Sequence, residues 1–337
     1  MRRIAINGFG RIGRCYLRAC LERKEFGRDY EVVAINDLAD IDNLAYLLRY
    51  DSVQRKLAEK VSVKGNILSV GSHEMEMLSI PSPSDLPWKR LKVDFVLEST
   101  GLFTKRENVK PHLDAGAKKV VISAPSKDAD ITVVIGVNEK RYDSSKHNII
   151  SNASCTTNSL APPAKVLNDI FGIESGLMTT IHAYTQGQRI IDFPDPKDWR
   201  RGRAGALSII PTSSGAAQAI GQVIPELAGK MTGAALRVPV ADGSVTDLTA
   251  VLKKEATAAE VNKALRDAAE GRLKGIMEYT EDQIVSADVI GDPHSAIIDG
   301  KATFVIPERG RLVKILSWYD NEYGYANRLV DLLGRVL

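Results

Sequence analysis

The order of apolar and polar positions changes character near residue 151. Before it, short β-branched runs alternate with stretches of helical period. Arg3–Ile6 predicts a strand, Arg11 to about Lys24 a helix, and Glu31–Ile35 a second strand. Asp42–Tyr50 predicts a helix capped by Asp40 or Asp42. Phe95–Glu98, Lys119–Ser123 and Ile131–Gly136 read as further strands, and a helix ends in Pro111–Gly116. Repeated strand–helix–strand order predicts a parallel, doubly wound α/β sheet. Beyond residue 151 a helix is expected from near Cys155 to about Phe171. The runs Leu177–Tyr184, Ala234–Pro239, Ser244–Leu252, Ala302–Val305 and Val313–Trp318 alternate more and predict a mixed or antiparallel sheet, hence an α+β unit. Thr257–Ala269 is an amphipathic helix that Thr257 and Glu260 open as a capping box. Asn321–Val336 is again helical. Between Thr185 and Ser208 no period is clear. Unstructured loops longer than about 12–15 residues are uncommon and usually functional. The mixture of apolar, aromatic and basic residues here predicts a segment ordered by contact with something else.

Composition narrows the class. A chain of 337 residues favours two domains, because single cores stop growing at about 250–300 residues. Its 44% apolar and 26% charged residues exclude a disordered chain. A net charge of +3 is too small to make nucleic acid or a membrane surface the main partner. No run approaches the roughly 18 apolar residues of a membrane span. In MRRIAINGFG, glycine interrupts the apolar run too early for a secretory signal. The cysteines Cys15, Cys20 and Cys155 are few and odd in number, which suits a reducing compartment. His73, His112, His147, His182 and His294 are scattered without ligand spacing. A cytoplasmic protein without structural metal is expected.

Two motifs carry chemistry. Asn7-Gly8-Phe9-Gly10-Arg11-Ile12-Gly13 fits G-x-G-x-x-G directly after a strand and at the start of a helix. The first glycine permits a tight turn, the second lets backbone approach a pyrophosphate, and the third lets helix and strand pack closely. The helix end offers free N–H groups and a positive dipole. Asp37, at the end of the second strand, suits the ribose hydroxyls of NAD and would repel the extra phosphate of NADP. These features predict a Rossmann-type nucleotide-binding domain. Ser99-Thr100-Gly101 follows a later strand on the same edge, and Ser123 ends another; all are candidate cofactor contacts. In Ser151–Asn158, Cys155 lies between an apolar strand and a helix, where the helix dipole should favour the thiolate, the nucleophilic form. A lone cysteine is also commonly a buried structural residue, the reading that suits Cys15 and Cys20. His182 ends a strand and is the candidate base. Spacing alone does not pair it with Cys155.

With these residues in view, NGFGRIGR, SNASCTTN, HAYT, RRGRAG, IIPTSSGAA, RVPV, SVTDLT and WYDNEYGY occur in the order found in glyceraldehyde-3-phosphate dehydrogenases. The chain resembles that family from Ile4 to Leu333. The resemblance implies Cys155 as nucleophile and His182 as its base. It implies that Thr185 and Arg237 hold the substrate phosphate, and that Ser154, Thr156, Ser214 and Gly215 bind the attacking phosphate. Asn321 would hold the nicotinamide carboxamide, and Gly8, Gly10, Arg11, Ile12, Gly13 and Asp37 would cradle NAD. It further implies a nucleotide-binding domain over 1–154, a catalytic domain over 155–319, and a terminal helix, 320–337, that packs back on the first domain. The implied activity is NAD-dependent, phosphorylating oxidation of a triose phosphate in glycolysis or gluconeogenesis, by a homotetramer with residues 185–208 at a subunit interface. Departures are Ser159 where a second cysteine is frequent, Ser214 for threonine, and Gly187 where aspartate is common. Phe193-Pro194 takes a Leu-Pro position linked to NAD preference. Alternatives are erythrose-4-phosphate dehydrogenase and a non-catalytic NAD- or RNA-binding regulatory protein. The run Lys197–Arg203, KDWRRGR, fits an interface or solvated loop better than a nucleic-acid patch.

Overall fold

A computed structural model describes residues 1–196 and 198–336. Lys197, which opens the basic run, and Leu337 lie outside the described residues. The chain divides into two compact units. One comprises residues 1–133, 139–153 and the chain from Ala326 onward; the other comprises 134–138 and 154–325.

The first unit contains β1 (Arg2–Asn7), α1 (Arg11–Leu21), β2 (Tyr30–Asn36), α2 (Ile41–Arg49), β3 (Tyr50–Asp51), β4 (Arg55–Lys56), β5 (Val61–Lys64), β6 (Ile67–Val70), β7 (His73–Leu78), α3 (Trp88–Leu91), β8 (Phe95–Glu98), α4 (Arg106–Asp114), β9 (Lys119–Ile122), β10 (Ile131–Thr132) and β11 (Ile149–Ser151). Among the described residues nine strands form one sheet in the order β10-β11-β9-β8-β1-β2-β7-β6-β5. From β10 to β7 every pairing is parallel, and β7-β6-β5 add an antiparallel edge. Ile4, Ala5 and Ile6 of β1 and Val96 and Leu97 of β8 are fully buried. A parallel sheet covered on both faces requires such unbroken apolar strands. Asp40 caps α2 by accepting the Asn43 N–H at 3.0 Å. The strand expected over Ile131–Gly136 stops at Thr132. Asn138 accepts the Val134 N–H at 2.8 Å and turns the chain there.

The second unit contains α5 (Cys155–Phe171), β12 (Ile173–Ala183), β13 (Ile210–Ser213), α6 (Ala216–Val223), β14 (Met231–Val238), β15 (Ser244–Thr257), α7 (Ala258–Glu270), β16 (Met277–Thr280), β17 (Ala296–Asp299), β18 (Phe304–Ile306), β19 (Arg309–Tyr319) and the start of α8 (Tyr323–Asp331). Its sheet runs β13-β14-β12-β15-β19-β17-β16, with β18 beside β19. The pairs β12/β14 and β16/β17 are parallel and the others antiparallel. Val313, Ile315, Ser317 and Tyr319 of β19 are buried while the residues between them are less so, the period of a sheet with one packed face. Helix α5 lies on β15 and packs with α6 and α7. The strand expected from Ala302 begins at Phe304, because Asp299 accepts the N–H groups of Lys301 and Ala302 and holds a helical turn over 300–302. The last helix begins at Tyr323 instead of Asn321, since Asp320 accepts the N–H groups of Glu322 and Tyr323.

The aperiodic segment folds on itself. Phe193 N–H meets Gly202 O at 2.8 Å, and Asp192 pairs with Arg203 and the Ala204 N–H. Yet Ile190, Ile191, Phe193, Trp199 and Leu207 remain exposed, Ile190 at 89% and Trp199 at 87%.

Thr257 Oγ1 accepts the Glu260 N–H at 3.2 Å while Glu260 accepts the Thr257 N–H at 2.8 Å, completing the capping box of α7. Thr257→Ala should cost about 1 kcal/mol and Thr257→Ser much less. Urea midpoints of the two variants measure this; equal midpoints would show the hydroxyl to be idle.

Candidate active site

In the first unit the carboxyl ends of β1, β2, β8 and β9 form a continuous edge. Gly8 follows β1 at φ +94°, and a Cβ there would lie 2.6 Å from Thr100 N. A Cβ on Gly13 would lie 2.4 Å from Gly8 O, so any side chain at either position would push turn, helix and strand apart. Around Gly10 nothing lies within 4 Å of such a carbon. Gly10 also opens α1 without a side-chain cap. The first turn of α1, Arg11–Gly13, lies where a helix N-terminus presents its N–H groups to an anion such as a pyrophosphate. Asp37 accepts the N–H groups of Phe9 at 2.8 Å and Ala39 at 2.9 Å, which ties the end of β2 to the glycine turn. Ser99 Oγ donates to Gly8 O at 2.7 Å, and Ser123 N–H donates to Glu98 O at 3.0 Å. The side chain of Arg11 is paired with Asp51. This set fits a dinucleotide.

Sequence reasoning missed the group beneath that edge. The buried carboxylate of Glu98 accepts from Asn7 Nδ2 at 2.6 Å, Thr100 N–H at 2.9 Å and His112 Nε2 at 3.2 Å. Trp88 Nε1 donates to His112 Nδ1 at 3.0 Å, which leaves the hydrogen on Nε2 to serve Glu98. Glu98 and His112 belong to β8 and α4, and no motif spacing links them.

In the second unit Cys155 is the first residue of α5, and Ser154 is its cap, accepting the Thr157 N–H at 3.0 Å. His182 lies near the end of β12, with Nε2 3.4 Å from Cys155 Sγ. The parallel register of β12 and β14 sets His182 opposite Arg237. Arg237 Nη1 reaches His182 Nδ1 at 2.6 Å and Ala183 O at 3.1 Å. The Thr156 hydroxyl turns inward to Tyr319 Oη at 2.9 Å, and Tyr319 also meets Thr180. The Tyr319 ring stands edge-on to His182 at 6.0 Å. That tyrosine lies in the WYDNEYGY run, where sequence reasoning assigned it no role. Thr185 is exposed and bonded to Gln188. Ser214 and Gly215 head α6 after β13, whose neighbour β14 carries Arg237. Asn321 is buried, and its Oδ1 accepts the Ser244 hydroxyl at 2.6 Å. Elsewhere in this unit His294 Nδ1 bridges Glu278 and Asp292 at 3.1 and 2.8 Å, a grouping that histidine spacing did not reveal.

Two family models match the chain. One, the glyceraldehyde 3-phosphate dehydrogenase NAD binding domain, covers residues 2–106, and the C-terminal domain of the same enzyme covers 154–321. A glyceraldehyde-3-phosphate dehydrogenase of Mycobacterium avium is 58% identical over 99% of this chain and 98% of its own. Glyceraldehyde-3-phosphate dehydrogenase 1 of Bacillus subtilis is 55% identical over 98% of this chain and 96% of its own. The chain belongs to the glyceraldehyde-3-phosphate dehydrogenase family. As a member of it, the protein is an oxidoreductase whose cofactor is NAD.

For a member of this family the electrostatics of the cysteine are informative. Burial pushes the Cys155 thiol above its ordinary range, while the charge of Arg237 and the hydroxyl and N–H of Thr156 pull it down. Desolvation of the sulfur thus works against the thiolate that the start of α5 would favour. His182 falls to about 3, from burial first and Arg237 second. Around neutral pH the pair is thiol and neutral imidazole. Arg237 can only donate. While it lies against Nδ1, that nitrogen is an acceptor and Nε2–H faces the sulfur. With Arg237 drawn off, Nδ1–H donates to Ala183 O, 2.7 Å away, and Nε2 can take the thiol proton. Burial also lowers Arg237, helped by the charge of Arg201.

Alkylation of Cys155 by iodoacetamide, without ligands, should therefore rise continuously from pH 7 to beyond pH 9. Arg237→Leu should slow it at pH 8 by removing the charge that favours thiolate. A rate constant that is flat between pH 6 and 8 would contradict this assignment.

Proposed function

We propose that this chain oxidises D-glyceraldehyde 3-phosphate to 1,3-bisphosphoglycerate with reduction of NAD⁺, in glycolysis or gluconeogenesis. The observation that carries the reading is Cys155 Sγ at 3.4 Å from His182 Nε2, with Arg237 against the other face of the same imidazole, in a chain of this family. The side-by-side charges of Arg201 and Arg237 suit a phosphate-bearing substrate, since an anion relieves their repulsion.

The substrate phosphate binds Thr185 and Arg237 and draws Arg237 from His182 Nδ1. His182 then takes the Cys155 proton through Nε2, the sulfur attacks the aldehyde carbon, and His182 returns that proton to the new oxyanion to give a hemithioacetal. Bound NAD⁺ supplies the hydride acceptor, and Asn321 orients its carboxamide. Gly8, Gly10, Arg11, Ile12, Gly13, Asp37, Ser99, Thr100 and Ser123 hold the rest of the cofactor. As the carbon is oxidised, His182 removes the hemithioacetal hydroxyl proton, which leaves a thioester on Cys155. Inorganic phosphate, held by Ser154, Thr156, Ser214 and Gly215, attacks that carbonyl. The C–S bond breaks, acyl phosphate leaves and the thiol is restored. The oxyanion formed in each addition lies against the Cys155 N–H and protonated His182.

Residues 1–154 act as the nucleotide-binding domain with the 320–337 helix, and 155–319 as the catalytic domain. The exposed apolar side chains of the 185–208 segment favour burial between subunits of a homotetramer. The free cysteines suit the cytoplasm, and among the described residues no helix is long and apolar enough to cross a membrane.

The test is NADH formation from glyceraldehyde 3-phosphate, with and without inorganic phosphate, alongside erythrose 4-phosphate. Phosphate-dependent turnover of the triose is expected, with Cys155→Ser lowering kcat by about 10³-fold or more and His182→Asn by about 10²–10⁴-fold. Preferential oxidation of the tetrose would reject the substrate assignment.

A further inference from the structure

The loop between β14 and β15 holds a carboxyl group that the reaction above does not use. Asp242 is 2% exposed and Asp320, which follows β19, is fully buried. Asp320 is committed as an acceptor. Its Oδ1 takes the N–H groups of Glu322 at 2.8 Å and Tyr323 at 2.7 Å, and its Oδ2 takes Gly291 N–H at 2.7 Å. A side-chain hydrogen bond joins it to Asp242. Two carboxylates have no hydrogen to share, so one of the pair must be the acid. With both Asp320 oxygens already accepting N–H groups, the hydrogen between the two carboxyl groups is donated by Asp242. Asp242 Oδ1 accepts Gly243 N–H at 2.9 Å. Two residues further on, Ser244 Oγ donates to Asn321 Oδ1 at 2.6 Å and accepts Ala183 N–H at 3.1 Å. Ser244 pairs with Tyr319 in the β15/β19 ladder. Residues 242 and 244 thus grip 320 and 321 side by side.

We propose that Asp242 works as a neutral carboxylic acid, a positioning residue whose O–H holds Asp320 and with it the neighbouring Asn321 in the orientation used for the nicotinamide carboxamide. The proposal rests on the cofactor role of Asn321 stated above. The ionisable groups facing Asp242 are Asp320, Glu322 and Cys155. Burial first, then the Asp320 and Glu322 charges, push its carboxyl up to about 9. Ionisation would replace the hydrogen bond by repulsion between two buried anions and loosen the 320–321 segment.

The experiment compares the full-length protein with Asp242→Asn and Asp242→Ala. Asparagine keeps an N–H donor for Asp320 and cannot ionise. In the first arm, thermal unfolding without cofactor is followed from pH 5 to 9.5. The folded acid keeps its proton where the unfolded aspartate has lost it at about pH 4. Stability of the native sequence must then fall as pH rises across that window. The Tm advantage of Asp242→Asn should therefore widen steadily from pH 5 to 9; a constant difference overturns the protonated acid. In the second arm, the KM for NAD⁺ and kcat are measured from pH 6.5 to 9.5. The native KM should climb several-fold above that of Asp242→Asn towards pH 9, and Asp242→Ala should raise it at every pH. Parallel pH profiles overturn the positioning role. Asn321→Ala separates the two readings: an unchanged KM for NAD⁺ rejects the cofactor role of Asn321, while the first arm still reports the proton on Asp242.

Discussion

The close packing of Cys155 and Arg237 on either side of the buried His182 imidazole is the constraint on which the catalytic unit depends. In water a thiol and an imidazole titrate independently near their ordinary values. Here burial raises one and lowers the other, and the guanidinium of Arg237 lowers both. The result is a pair held neutral, with a cation close by whose preferred partner is an anion. Chemistry at such a site waits on the ligand. An arriving phosphate changes the charge next to His182 Nδ1, and with it which imidazole nitrogen can act as base. The parallel pairing of β12 and β14 sets this geometry by placing His182 opposite Arg237. The α5 helix completes it by beginning at Cys155.

The nucleotide-binding unit meets a different constraint, close backbone approach. Gly8 and Gly13 leave less than 3 Å for any Cβ, so turn, helix and strand come together more tightly than side chains allow. The charge beneath them is then an obligation: Glu98 is fully surrounded and must be satisfied by Asn7, Thr100 and His112. Satisfying it fixes the Thr100 segment against the glycine turn. A buried acceptor paired this way behaves as a scaffold for the edge that faces the cofactor.

Much of the architecture was legible along the chain. Phe95–Glu98 matched to the residue, and the helix expected from near Cys155 to about Phe171 formed over that span, because continuous apolar runs and a clear helical period leave little choice. The antiparallel β5–β7 edge and helix α6 were not anticipated: short strands with many polar positions carry a weak period. Where boundaries moved, a side chain was responsible. Asn138 ends β10 early, Asp299 delays β18 and Asp320 delays α8, each by taking backbone N–H groups that a regular element would have used.

The same division holds for function. Sequence alone determined the glycine turn, the aspartate closing β2, the cysteine at a helix start and the family to which they belong, since each depends on neighbours a few residues away. Tertiary structure decided what lies across from them. It brought His182 to Cys155 and Arg237 to both, placed Tyr319 edge-on to the imidazole, and set Asp242 against Asp320. It also set burial of the sulfur against the thiolate expected at Cys155, because a local motif carries the helix dipole whereas desolvation is imposed by everything that packs around the sulfur.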